Sequence, residues 1–173
     1  DNSWRKNEFV LASYWSFLLI EKNMMDVYCF NNRSQNVSYA NDTANDNRFS
    51  AGLRFSKNEG SFGYDIEFTY QSGKHGHQDI HAWQISSQFS YRWQNLSRSP
   101  RLLIREAVFS GDRQHNDGVI NTFRPVSAKP PVHDLVPVGP ANVALISPEA
   151  EITLSKGLTF TLRYLTVHRL SSN

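Results

Sequence analysis

The stretch Phe62-Gly63-Tyr64-Asp65-Ile66-Glu67-Phe68-Thr69-Tyr70-Gln71 decides the fold class. Phe62, Tyr64, Ile66, Phe68 and Tyr70 alternate with Gly63, Asp65, Glu67, Thr69 and Gln71. Successive side chains of a strand point to opposite faces, so one face is apolar and the other polar. The preceding stretch repeats the pattern, with Phe49, Ala51, Leu53 and Phe55 set against Ser50, Gly52, Arg54 and Ser56. Downstream, Trp83, Ile85, Phe89, Tyr91 and Trp93 oppose Gln84, Ser86, Gln88, Ser90 and Arg92. Near the end, Leu158, Phe160, Leu162 and Tyr164 oppose Thr159, Thr161 and Arg163.

Extending this reading gives eight strands, at 8–20, 24–32, 47–57, 62–72, 79–93, 101–110, 143–154 and 158–169. The first is apolar on both faces and is read as a strand because the turn-like Glu21-Lys22-Asn23 follows it. The connections alternate in length. Glu21–Asn23, Lys57–Ser61, Gln94–Pro100 and Ser155–Gly157 are short, whereas Arg33–Asp46, Gly73–Gln78 and Gly111–Asn142 are longer. Short turns at one end and long loops at the other characterise an outer-membrane barrel. The Ser155-Lys156-Gly157 turn is expected to be a three-residue loop pairing Leu154 with Leu158, with Gly157 in the left-handed region and Glu149 opposite Arg163.

Composition bounds the function. The 173 residues suit one domain, and 18 Lys and Arg against 16 Asp and Glu give a net charge of only +2, so no electrostatic case exists for a nucleic-acid partner. The longest apolar stretch, Phe9 to Ile20, is interrupted by Ser13 and Ser16 and falls short of the ~20 residues that a spanning helix needs. A single cysteine, Cys29, excludes an internal disulfide. The chain opens at Asp1 without a basic and apolar leader and closes at Ser171-Ser172-Asn173 directly after an apolar stretch. The expectation is a piece of a longer protein, a single partial barrel over 1–173 with a long Pro-rich loop at 111–142.

Alternation alone does not choose between an apolar face turned inward, as in a soluble barrel, and one turned outward to lipid. Three features favour lipid outside. The polar face carries Asp26, Arg54, Asp65, Glu67, Arg92, Arg105, Glu149, Glu151 and Arg163. Tyr70, Tyr91 and Trp93 gather near strand ends, where interfacial girdles sit. The loops are sorted by length. Glu106 argues the other way, because it falls on the face of Leu102, Ile104 and Val108 and calls for a bulge or an interfacial position. The fold class is therefore all-β, an antiparallel transmembrane β-barrel of which this chain supplies about eight strands. The runner-up is a soluble eight-stranded lipocalin-like barrel binding a small ligand, and a third reading is a carbohydrate-binding β-sandwich.

Several spaced motifs then carry a resemblance. Ser110-Gly111-Asp112-Arg113, Asn116-Asp117-Gly118 and Asn121-Thr122-Phe123-Arg124-Pro125 follow one another around strand six. Gly139-Pro140-Ala141-Asn142 precedes a strand containing Pro148. Tyr64-Asp65-Ile66-Glu67 leads to Tyr70-Gln71-Ser72-Gly73 and then Gln78-Asp79-Ile80-His81-Ala82-Trp83. From about Met25 to Arg169 the sequence resembles the alginate export family of bacterial outer-membrane porins. Lys129-Pro130-Pro131-Val132-His133 departs from the family's aromatic, Gly-rich stretch. The resemblance implies a barrel of about eighteen strands in the outer membrane of a Gram-negative bacterium, inserted by the barrel-insertion machinery. It also implies passage of an anionic polysaccharide such as alginate, or of small solutes.

A polyuronate is a chain of carboxylates, and a pore that passes it needs cations along its wall. Arg54, Arg92, Arg105 and Arg163 are the inward candidates, with Asp65, Glu67, Glu149 and Glu151 as their pore-lining neighbours. In the competing reading these arginines are wall residues paired with the acids, Arg54 with Asp65 and Arg163 with Glu149. Asp112, Arg113 and Asp117 open the long loop, whose five prolines between Pro125 and Pro140 suit a stiff segment folded into the mouth as a constriction. The alternative is a surface loop with no gate.

Other chemistry finds little support. The loop from Asp112 lacks the Gly and Glu positions of an EF-hand. His75, His77, Asp79 and His81 have metal-ligand spacing on one strand but no second-strand ligand. No nucleophile elbow, phosphate loop or zinc-protease helix is present in the sequence. The expectation is a passive conduit that is not an enzyme and uses no cofactor or metal, with the lipid bilayer and the transported solute as partners.

Overall fold

The computed structural model describes residues 8–39, 42–112, 117–125 and 141–170. They form an antiparallel sheet with no α-helix among the described residues. The strands are β1 (Glu8–Leu18), β2 (Met24–Tyr39), β3 (Asp42–Lys57), β4 (Phe62–His75), β5 (Gln78–Arg92), β6 (Arg101–Phe109), β7 (Val119–Ile120), β8 (Val143–Ser155), β9 (Leu158–Arg163) and β10 (Thr166–Arg169). Neighbours in sequence are neighbours in space from β1 to β6, after which β8 pairs with β6. Both β9 and β10 pair with β8, and Glu149↔Arg163 and Ile146↔Thr166 belong to one register, so the two are a single arm interrupted at Tyr164-Leu165. The eight expected strands are all present. The sheet is not closed: one side of β1 and one side of the β9–β10 arm pair with nothing among the described residues.

The two faces are distributed as a lipid-facing wall requires. On β3, Phe49, Ala51, Leu53 and Phe55 are exposed, while Asp46, Arg48, Ser50, Gly52 and Ser56 are buried. On β4, Phe68 and Tyr70 are exposed and Thr69 and Gln71 are buried. A soluble lipocalin-like barrel would put the aromatics inside, and the burial pattern runs the other way. The apolar outer belt is nine residues tall on β4 (Phe62 to Tyr70) and on β5 (Trp83 to Tyr91), close to the ~9–11 residues that a tilted strand needs to cross a bilayer. Aromatics mark both borders. Tyr70 stands opposite Trp83 at one and Phe62 opposite Tyr91 at the other, where Tyr91 also meets Trp93 edge-on at 4.9 Å between centroids.

Two of the expected long loops are not loops. β2 and β3 are 16 residues each and stay paired as far as Tyr39↔Asp42, so Arg33–Asp46 is largely strand. β4 and β5 pair as far as His75↔Gln78 around a Gly76-His77 turn, so Gly73–Gln78 is a tight hairpin. Beyond the belt polar residues stand on both faces of a strand, so Asn31, Asn32, Arg33 and Asn47 extend the ladder without any apolar alternation to reveal it. Of the expected long connections, only Gly111–Asn142 is long.

Three smaller corrections concern geometry. β1 ends at Leu18, and Ile20–Lys22 form a 3-10 turn with Glu21 and Lys22 at positive φ. At the last hairpin Leu158 pairs with Ser155 rather than Leu154, and a bulge between Thr153 and Ser155 restores the face. The expected Glu149↔Arg163 pairing and the left-handed Gly157 (φ 87°) are both found. Glu106 is outward and exposed with no bulge in β6, and Ser87 Oγ donates to its carboxylate at 3.3 Å.

Candidate functional site: a charge-paired wall and an inward segment

Arg54 comes from β3 and Asp65 from β4. Glu67, not Asp65, is directly opposite Arg54, yet the guanidinium turns to Asp65, with Nε to Oδ1 at 2.7 Å. Tyr28 explains the choice, because its hydroxyl donates to Glu67 and also bonds Thr69 Oγ1 at 2.7 Å. The Tyr28 ring fits there because residue 52 is glycine: a Cβ at Gly52 would lie 2.1 Å from Tyr28 Cζ. Asp26 completes the group, 3.9 Å from Arg54 Nη1 and accepting from Ser16 Oγ at 2.6 Å.

A second group spans β5, β6, β8 and β9. Glu149 Oε2 accepts from Arg105 Nη1 at 2.7 Å and from Arg163 Nε at 2.6 Å. Arg105 Nε also donates to Gln88 Oε1 at 2.9 Å. Arg92 Nη2 donates to Glu151 Oε1 at 2.8 Å and its Nη1 to the Ser99 carbonyl at 3.3 Å. Every one of the four arginines expected to attract an anion is thus engaged with a carboxylate. Such a wall presents paired charge rather than a cationic track, and Glu149, held between Arg105 and Arg163, is itself buried.

The third group lies at the tall end and involves the long loop. Val119–Ile120 pairs in parallel with Asp79–Ile80 on β5, which brings residues 119–125 onto the polar face. Ile120 and Phe123 there pack with Ile80, Ala82, Ala107, Phe109 and Leu145, all nearly inaccessible. This is the one buried apolar cluster among the described residues, and it lies on the face that is otherwise polar. Hydrogen bonds fix the segment. Arg48 Nη1 donates to the Thr122 carbonyl at 3.1 Å, Ser110 Oγ donates to the Asn121 carbonyl at 2.7 Å, and Phe123 N–H donates to the Ser110 carbonyl at 3.1 Å. Gln71 grips Arg124 by both backbone groups, accepting from its N–H at 3.0 Å and donating to its carbonyl at 2.8 Å. The described part of the long connection, residues 117–125, is therefore folded against the polar face.

Asp112 is buried as an anchor rather than displayed to solute. Its carboxylate accepts from the Tyr39 hydroxyl and the Asn121 N–H. Tyr39 lies beyond the apolar belt, where burial and the adjacent Asp112 push its hydroxyl up to about 12, so it stays a donor across the physiological range. Asp117 is exposed, and its Oδ1 accepts from Val119 N–H at 2.9 Å, which starts the β7 turn. Arg113 lies outside the described residues.

The histidines separate. His75 is fully buried on the polar face beside Asp46, whereas His81 is exposed on the other face with Tyr70 Oη 2.8 Å from its Nδ1. No group of residues suited to holding a metal ion occurs among the described residues. Arg48, Gln71, Ser110 and Arg124 went unmarked as site residues in the sequence, where the only available signal was that Gln71 and Arg48 occupy the polar face of alternating strands.

The chain-wide comparison agrees with this architecture. The family model for alginate export matches residues 1–172. The chain belongs to the alginate export family. No curated protein and no solved structure matches it. Alginate export proteins are outer-membrane β-barrels, which accounts for a sheet with its apolar face exposed and its charges turned away from that face.

Proposed function

We propose that this alginate export family chain forms part of the wall of a bacterial outer-membrane channel, and that residues 119–125 narrow the passage. The observation that carries the reading is the pairing of an exposed apolar belt with an opposite face lined by Arg–carboxylate groups and overlaid by a folded-in segment. Hydrophilic solute would move passively along the polar face, with no covalent step and no cofactor. The charge pairing supports a lumen that accepts polar saccharides or small solutes more readily than one that concentrates anions. A full barrel of about eighteen strands, insertion by the cell's barrel-assembly machinery, and the bilayer as surrounding partner belong to the same proposal.

Thiol probes test it. In the full-length protein with Cys29→Ala, cysteines at 86 and 88 should react with a charged, water-soluble thiol reagent and lower single-channel conductance. Cysteines at 85 and 89 should not. Reaction at 85 and 89 with protection at 86 and 88 would turn the wall inside out and end the channel reading.

A further inference from the structure

On the outer belt of β4, β5, β6 and β8, Glu106 is the one charged side chain. We infer that the outer face around Glu106 is an intramembrane interface, and that its occupant is a second copy of this chain. The inference rests on the lipid-facing reading of the belt given above.

Depth is the first observation. The belt runs from Phe62 to Tyr70 on β4 and from Trp83 to Tyr91 on β5, and the two midpoints, Ile66 and Ser87, are direct partners. Ser87 is in turn the partner of Glu106. The carboxyl therefore lies within about one strand spacing, ~4.8 Å, of mid-height. It is exposed, no bulge diverts it, and its one hydrogen bond among the described residues is the 3.3 Å contact from Ser87 Oγ. An ionised carboxyl has about four acceptor sites, and a protonated one adds an O–H donor. Lipid tails satisfy neither, so an ionisable group at this depth calls for a protein partner.

Shape is the second. On the short-turn side of Glu106 the same face carries a groove of about 520 Å³. The small side chains of Pro148 and Ala150 on β8 leave it open between Leu102 and Ile104 on β6 and Leu162 and Tyr164 beyond. The groove and the unsatisfied carboxyl form one continuous patch.

Self-complementarity identifies the occupant. Two copies inserted in one membrane share an orientation, so a two-fold axis between them runs along the membrane normal and keeps each residue at its own depth. Glu106 of one copy then meets mid-height residues of the other. On this face the adjacent one is Ser87, and Thr166 stands two strands away on the other side of the same register row. Both carry a hydroxyl donor. Acceptor and donor thus belong to one patch, as an isologous contact requires, and each copy returns the hydrogen bond it receives. Polar side chains act in this way as the adhesive between membrane-embedded surfaces.

Cysteine cross-linking of the full-length protein in native membranes tests this, in a background without other cysteines. Ile85→Cys, beside Ser87 on the same face, should give a disulfide-linked dimer on oxidation. Leu53→Cys, equally outward on β3, should not. Adding Glu106→Leu should lower the dimer yield at position 85 roughly three- to tenfold, as expected for loss of membrane-embedded hydrogen bonds. Glu106→Gln should lower it less, because the amide still accepts from a hydroxyl. Glu106→Leu makes the belt more apolar, so its heat-dependent gel mobility and single-channel conductance should match those of the unaltered protein. No dimer at position 85, equal dimer at 53 and 85, an adduct with a different protein in its place, or a dimer indifferent to Glu106→Leu each overturns the interface and leaves the wall in its membrane. Release of the unaltered protein from membranes by alkaline carbonate overturns the lipid-facing reading and the interface with it.

Discussion

At the scale of single residues, position on the alternating faces was legible and partner choice was not. Asp65, Glu67 and Arg54 were assigned to the polar face by parity alone. The turn of Arg54 away from its facing Glu67 toward the diagonal Asp65 depends on Tyr28, which lies 39 residues from Glu67 and claims its carboxylate. Gly52 makes this possible, and it carries a prediction. Gly52→Val would drive a methyl-bearing Cβ into the Tyr28 ring, so the ring must leave and Glu67 and Thr69 lose its hydroxyl. The expected cost is about 1–3 kcal/mol from overpacking, with further loss from the freed carboxylate. Denaturant unfolding of the full-length protein in detergent should show a lower midpoint for Gly52→Val. An unchanged midpoint would mean that Tyr28 does not rest on residue 52.

At the scale of elements, the sequence is most readable inside the bilayer belt. The membrane imposes apolar–polar alternation there, and it marks the strands after the first; β1 is apolar on both faces and is legible only from the turn-like Glu21-Lys22-Asn23 that follows it. Outside the belt that constraint lapses, and residues 33–39 and 42–46 form strand with polar side chains on both faces, which reads as loop. The inward segment shows the opposite limit. Its prolines suggested a stiff loop near the mouth, but its seat is built from long-range contacts that periodicity does not encode, including Arg48 to the carbonyl of residue 122 and Gln71 to the backbone of residue 124. The apolar seat of Ile80, Phe109 and Leu145 is visible in hindsight as three hydrophobes on faces that should be polar. Because the segment is an insertion on a finished wall, removing it should leave the wall standing. Replacing residues 113–125 by a short Gly-Ser linker should raise single-channel conductance of the full-length protein and weaken block by acidic saccharide. A deletion variant with unaltered conductance would show that the segment lies outside the conducting path.

At the scale of the whole molecule, the decisive feature is what the sheet leaves unpaired. β1 spans 11 residues, and about half of its backbone donors and acceptors point away from β2, as in any antiparallel edge. The β9–β10 arm has the same defect at the other side. An unsatisfied backbone group in hydrocarbon costs several kcal/mol, so two such edges outweigh the ~5–15 kcal/mol by which folded domains are usually stable. β1 adds a second difficulty in water, since Phe9, Leu11, Tyr14, Trp15 and Phe17 are all about half exposed or more. Neither solvent suits this sheet alone, and the expected remedy is closure by further strands, whichever polypeptide supplies them. Residues 1–173 produced by themselves should therefore aggregate in buffer and remain polydisperse in detergent. A preparation containing the closing strands should run as a compact species whose electrophoretic mobility changes on heating. Light scattering coupled to size exclusion distinguishes the two. A monodisperse, detergent-free monomer of residues 1–173 with a cooperative melt would show that the edges close on themselves, and the apolar belt would then have to be repacked inward, as in a soluble barrel.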